Sequence, residues 1–499
     1  MHVRRLISAL AACFLVLSAG AQPTVLHIDD QAAFDSLGTV IRSFMEGDAP
    51  ELDIILGPGP FYYRDGHVRL DSIYAPGKRV RLTGDRTRLY PALVQAPLDP
   101  ATCRYGAGGN GPEPLSEVRE MKRTRSLILV TDRKNNICRI RTDAVQDTSL
   151  VRDGYIYLTQ WFKGATYKIT AVKGRHIYFK ADDLRQVRIL YSVNLDWTFA
   201  MHYPRYCVLD GGRKTWTNAD ATTFLSLGGA RFDGLSLSGL TFVGNRQEPG
   251  RSLIRVENGS APLSLSGCRF EHIHSDCITV DGSDDVVVED CVFSGCSRGC
   301  VTVEPCSSRI GILRNRIDGS GAAGENSACI SCYASGFQIR DNVISDYGYA
   351  AVRTGIHYSI EKKAPLYGVI AGNEIFQTPA YFASAPDRLL MDSGAIYLTT
   401  QIDSLRIEGN HIHDINGPVY NRGIFADDGA SNLVIVGNTI SNIRSYYALD
   451  IDPRSSWKML HRRKRRVDVA NENVVVRDNI VDGEVRIAKM RKRIGLMPD

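Results

Sequence analysis

The sequence predicts an all-β protein: a right-handed parallel β-helix (a solenoid) with an N-terminal capping helix and an inserted small antiparallel β module. Three observations predict it. One strand-turn-strand phrase recurs, as GLSLSGLTF, PLSLSGCRF, DVVVEDCVF, RIGILRNRI, GFQIRDNVI, YGVIAGNEI, SLRIEGNHI, NLVIVGNTI and NVVVRDNIV. Its turn position is held by Leu240, Cys268, Cys291, Asn315, Asn342, Asn373, Asn410, Asn438 and Asn479, at spacings of 28, 23, 24, 27, 31, 37, 28 and 41. A constant phrase at variable spacing means one fixed unit carrying loops of different length, and about 23 residues make one coil of three short strands and three turns. Finally, an Asn stacked at such a turn can bond the Asn above and below it, which satisfies buried turn groups. Neither a helix in each repeat nor a Trp-Asp signature accompanies the phrase, which sets aside leucine-rich repeats and β-propellers.

The elements follow in chain order. MHVRRLISALAACFLVLSAGAQ has a basic start (Arg4, Arg5), an apolar stretch from Leu6 to Leu17 and a small-x-small site at Ala19 to Ala21. Residues 1–21 are therefore expected to be a signal peptide that sends the mature chain to the periplasm or outside the cell. Leu10-Ala11-Ala12-Cys13 resembles a lipoprotein box, but apolar residues continue past Cys13, so a lipid anchor there is the lesser alternative. Residues 22–90 are expected to hold the cap helix and first coils. Phe34, Leu37, Ile41 and Phe44 have helical spacing behind Asp29 or Asp30 as N-cap, and LDIILGPGPFYY and RVRLTGD read as strands. Residues 91–205 lose the period and alternate like antiparallel strands, so they are expected to form the inserted module. Residues 206–499 are expected to form the main β-helix, resuming at YCVLDGG; the HRRKRR run from His461 lies in a late loop.

Composition excludes some classes. The 499 residues carry a net charge of only +5, no argument for a nucleic-acid partner. After the leader, no segment approaches the ~18 apolar residues of a membrane span. Eight of the twelve cysteines lie between Cys268 and Cys332, and Cys268 and Cys291 share the ladder slot with Asn, which predicts stacked thiols with few bridges. No Cys/His spacing reads as a zinc site. A monomer is expected.

A second phrase precedes the ladder phrase: DCITVDG, GCVTVEP, ACISCYA, AAVRTGI, GAIYLTT, RGIFADD and YALDIDP. Aligned on Ile278, Val301, Ile330, Val352, Ile396, Ile424 and Leu449, alternation turns those residues inward and their neighbours outward. One outward row is Thr279, Thr302, Ser331, Arg353, Tyr397, Phe425 and Asp450. The other is Asp281, Glu304, Tyr333, Gly355, Thr399, Asp427 and Asp452. This acidic and aromatic strip, walled by long loops, suits a glycan groove. Cleaving a glycosidic bond takes two carboxyl groups, one to protonate the leaving oxygen and one to attack or to activate water. Asp427 points outward, Asp428 shares its turn, and Asp392 ends the long loop one coil earlier. Arg353, Tyr397, Phe425, Asp450 and Arg422 are the expected substrate contacts, the two aromatic rings as stacking platforms. For Asp281 and Glu304, calcium, distant sugar units and plain solvation stay open. His413 in GNHIHDI reads as a structural hydrogen-bonder.

DSGAIYL, GNHIHDI, NRGIFADDGASN and GNTI in succession resemble the pectate-lyase-like right-handed β-helix superfamily, most of all glycoside hydrolase families 141 and 120. The resemblance covers roughly the last half of the chain by motif. It implies a catalytic carboxylate pair, placed on Asp392 and Asp427 with Asp428 as the alternate, no required cofactor, and a polysaccharide or oligosaccharide substrate. The aligned Lys/Arg and calcium-aspartate set of pectate lyases is not matched. The expected activity is thus hydrolysis of a glycan by an exported enzyme. Two alternatives stand: a polysaccharide lyase cutting uronates with Arg353, Tyr333 or Tyr397, and a non-catalytic glycan-binding solenoid.

Overall fold

The computed structural model describes residues 23–92, 103–104, 113–124, 129–141, 155–160, 163–181, 197–210, 213–218, 221–245, 250–321, 328–355, 367–384, 393–399, 402–415, 421–427, 430–444, 446–451 and 473–487. The expected signal peptide and the HRRKRR run lie outside them.

Alternating short strands cannot bury their apolar faces alone, so the chain winds them into coils that stack. The described residues form three long parallel sheets, one of twelve strands and two of eleven. The ladder phrase crosses from the first sheet to the second through its turn; the other phrase, such as DCITV, builds the third. One alternating set of side chains fills the interior. In the second sheet Phe242, Phe270, Phe293, Ile317, Ile344, Ile375, Ile412 and Ile440 sit in one register column and are all buried. Its aromatic members stack, with ring centroids 5.3 Å and then 4.6 Å apart.

The turn between first and second sheets carries the expected Asn stack. The Nδ2 of Asn315 donates to Oδ1 of Asn342 (3.0 Å), Asn342 to Asn373 (2.9 Å), Asn373 to Asn410 (2.9 Å), Asn410 to Asn438 (2.8 Å) and Asn438 to Asn479 (2.8 Å). Each of these Oδ1 atoms also accepts the backbone N–H of the preceding ladder residue, as from Asn373 to Asn410 at 3.0 Å. The residue just before each ladder position is left-handed: Gly239, Gly267, Asp290, Arg314, Asp341, Gly372, Gly409, Gly437 and Asp478 have φ between 53° and 63°. Gly, Asp and Asn tolerate that region best, which is why G-N and D-N mark the turn. Arg314 is the exception, and it is anchored by Asp290 and Glu289 (2.9 and 2.8 Å).

At the N-terminal end, Asp30 caps a helix by accepting from Ala33 N (2.8 Å). The helical segment breaks at Ser36 into Gln31–Asp35 and Leu37–Glu46, and it buries Phe34, Leu37, Ile41 and Met45 over the first coils. Phe44, expected inside, is only partly buried and carries the Lys78 ammonium 5.0 Å from its ring centroid.

The inserted module is antiparallel, as expected, but it runs further. The strand Trp197–Asp210 pairs antiparallel with Arg213–Asn218, and the parallel coils resume only at Leu225–Gly228. Tyr206 to Asp210 thus belong to the module. Their alternation suits either kind of sheet, so pattern alone could not separate them.

Candidate functional site

The register expected for the third sheet is the one observed. Ile278, Val301, Ile330, Val352, Ile396, Ile424 and Leu449 are successive Cα partners. Arg353, Tyr397, Phe425 and Asp450 therefore form one outward column, with Asp427 beside Thr399 in the next.

Asp427 ends the strand Asn421–Asp427 and is half-buried. Its Oδ2 accepts a hydrogen bond from the Tyr397 hydroxyl (3.0 Å), which reaches across from the neighbouring coil. The carboxylate is thereby aimed by a second residue, more than a solvated turn aspartate needs.

The aromatic and charged neighbours are packed more tightly than expected. Tyr397 is 5% exposed and Phe425 1%, and with Ala328, Tyr349 and Ala350 they form a second apolar cluster on the outer side of the sheet. Their rings stack on each other at 5.2 Å and 6°, and the Arg422 guanidinium lies 3.7 Å above the Phe425 ring. The expectation that both rings are open sugar platforms is corrected: those faces are already covered. Arg422 and Asp450 are likewise not open substrate contacts. They are buried and joined by an ion pair of 2.6 Å, with Tyr446 against the guanidinium at 4.9 Å. Gly423 makes this packing possible, because a Cβ there would meet the Ala448 carbonyl at 2.4 Å.

Further along the outward face of the third sheet, burial pushes the Glu304 carboxyl above its ordinary value, and the nearby charges of Asp281 and Asp276 push the same way. Burial raises the Tyr333 phenol also, against the pull of Arg353. Asp276 in turn faces Arg298 at 3.5 Å. The sequence reading missed Tyr349, which packs edge-on to Tyr397 at 5.8 Å; it lies just before the aligned phrase, where no outward position was assigned. It also missed Asp276, which opens its strand ahead of the aligned core.

Asp392 and Asp428 lie outside the described residues. Ser393, which follows Asp392, pairs with Asn421, whereas Asp427 pairs with Thr399. Six residues separate Asn421 from Asp427 along one strand, about 20 Å at 3.3 Å per residue. Asp450, by contrast, pairs with Phe425, two residues from Asp427.

Three parallel sheets wound into one solenoid, with an ionisable row along the third, define a parallel β-helix protein. The family model for the right-handed β-helix region matches residues 205–344 and 252–485, together more than half of the chain, and the chain belongs to that family. No curated protein matches the sequence. Among solved structures, a glycoside hydrolase is similar at 12% identity and a TM-score of 0.55, covering 92% of this chain and 96% of that one. The A-module of the mannuronan C-5 epimerase AlgE6 of Azotobacter vinelandii is similar at 10% identity, covering 92% and 97%, with a TM-score of 0.33. At 12% identity the likeness to the glycoside hydrolase is one of fold. No described helix is long and apolar enough to cross a membrane.

Proposed function

We propose that the protein is an exported glycoside hydrolase that cuts a polysaccharide or oligosaccharide in the groove of the third sheet, with Asp427 as one of two catalytic carboxyl groups. The observation that carries this reading is the Tyr397–Asp427 hydrogen bond on the outward face of a groove strand. A hydroxyl donor favours the ionised carboxylate, as a nucleophile or a base activating water requires. The shared fold with a glycoside hydrolase over nearly the whole length fits this reading. For the second carboxyl group Asp392 remains the candidate, with Asp428 as the alternate; Asp450, now buried against Arg422, is the further candidate. In this role Asp450 would be released from Arg422 as substrate enters. Arg353 would contact a distant sugar unit.

The test is reducing-end release over a glycan panel, by the wild type and by Asp427→Asn, Asp450→Asn, Asp428→Asn and Asp392→Asn. Asp427→Asn and one other variant should lose several orders of magnitude. Near-normal turnover by Asp427→Asn overturns the assignment.

A polysaccharide lyase is the second reading, favoured by Arg353 beside Tyr333. A lyase base must be deprotonated near neutral pH, and the raised Tyr333 phenol weighs against it. Hydrolysis needs no cofactor, so calcium chelation should leave activity intact; a lyase holding calcium at Asp281 and Glu304 would lose it.

A further inference from the structure

On the second sheet, away from the third-sheet strand that carries Asp427, Glu374 opens the strand Glu374–Phe376, and His411 opens the neighbouring strand His411–Ile415. The two are direct Cα partners. His413 follows His411 by two residues, so alternation puts both imidazoles on the outward face beside the Glu374 carboxylate. One ligand atom from each of the three side chains lies within 4.8 Å of the other two. His411 is exposed, and the other two are half-buried.

The orientation of His413 is the telling feature. Its Nδ1 is 2.8 Å from Asp414 Oδ2, a carboxylate that suits the Nδ1–H tautomer and turns Nε2 toward Glu374. Asp414 is itself held in a left-handed conformation (φ 55°) and accepts a hydrogen bond from the Asn442 side chain. Phe376 stacks flat on the imidazole at 5.0 Å and 10°. The ring is therefore clamped, yet its buried Nε2 has no hydrogen-bond partner among the described residues. Nε2 stands 3.5 Å from Glu374 Oε1. Two ligand atoms each about 2.1 Å from a tetrahedral ion sit about 3.4 Å apart. A carboxylate behind one nitrogen of an imidazole, with the other nitrogen aimed at an acidic oxygen, is the arrangement that orients histidine ligands on metals.

We infer that Glu374, His411 and His413 bind a divalent transition-metal ion of the zinc type, with Asp414 as the residue that orients His413. The nitrogen-rich donor set favours zinc, nickel or copper over calcium or magnesium. Bound there, the ion would join two neighbouring coils and keep one coordination position open. The sequence reading took His413 for a structural hydrogen-bonder because spacing alone cannot show the carboxylate contributed by the previous coil.

The test is calorimetric titration of chelator-stripped protein with Zn²⁺ and, separately, Ca²⁺. One equivalent of Zn²⁺ should bind, and Ca²⁺ should not compete. His411→Ala and Glu374→Gln change accessible side chains and should leave the circular dichroism unchanged while weakening Zn²⁺ binding at least about 10-fold each. Asp414→Asn, which touches no ion, should weaken it by about 10- to 100-fold. Absence of Zn²⁺ uptake at concentrations up to about 100 µM (a free energy of only ~5 kcal/mol) overturns the inference. So does uptake unchanged in the His411→Ala/Glu374→Gln double variant, which would place the ion on the buried thiols.

Discussion

At the scale of single residues, the Tyr397–Asp427 contact separates chemistry from turn formation. Tyr397→Phe keeps the ring stacked on Phe425 and removes only the hydroxyl. If the hydroxyl holds Asp427 ionised, kcat should fall roughly 10-fold and the acid limb of its pH profile should move up, while the melting temperature hardly changes. An unshifted profile would reduce the hydrogen bond to packing. Glu304 offers a second measurement. Burial, with Asp281 and Asp276, raises its pKa above the usual 4.5. A carboxyl raised on folding costs nothing at low pH, where it is protonated in both states, and costs stability as pH rises through the folded value. Glu304→Gln should therefore be more stable than wild type at pH 7, and the difference should vanish below about pH 4 in denaturant melts at several pH values. The outward register of Asp427 was legible in the alternation of RGIFADD. The covering of Phe425, Arg422 and Asp450 was not, because strand parity tells which way a side chain points but not what lies over it.

At the scale of elements, the Asn ladder is a row of buried amides that satisfy one another. Truncating Asn373 leaves the Asn342 amide, the Asn342 backbone N–H and the Ile339 carbonyl without their partners. With about 1–3 kcal/mol for each orphaned buried group, Asn373→Ala should cost several kcal/mol in chemical denaturation. Asn479→Ala, at the end of the ladder where the amide is only partly buried, should cost less. A small loss at Asn373 would mean that water replaces the ladder. The Arg422–Asp450 pair makes a similar case. Asp450→Asn leaves a buried guanidinium uncompensated, a loss of about 3–5 kcal/mol, so its activity assay must be read with a folding control. The ladder itself was plain in the sequence, because one turn phrase recurs nine times and its last six copies all carry Asn at the same position. The boundary of the inserted module was not, since Tyr206 to Asp210 alternate as well in an antiparallel strand as in a parallel one. The zinc-type cluster was hidden for another reason: it joins two coils whose residues lie 37 positions apart, from Glu374 to His411.

At the scale of the whole molecule, nine cysteines (Cys138 and the eight from Cys268 to Cys332) are free thiols, and eight of these nine are buried. Burial pushes Cys138 up to about 11 and Cys332 to about 12. Native protein at pH 8 should thus give up chiefly the exposed Cys306 to a thiol reagent, and unfolded, unreduced protein should give at least nine. Finding one or none after unfolding would mean that bridges replace the stack. The uneven spacing of the repeat has a further consequence. The corner between the first and second sheets is sealed by the ladder and admits no extra residue in any of the nine phrases. All the length variation falls at the other two corners, as in residues 355–367, 377–392 and 452–472, and both of those corners border the third sheet. The scaffold therefore keeps its inheritance in two compartments. Lineages can lengthen, shorten or exchange the rims of the groove, and so try new ligands, without disturbing the seam that holds the coils together.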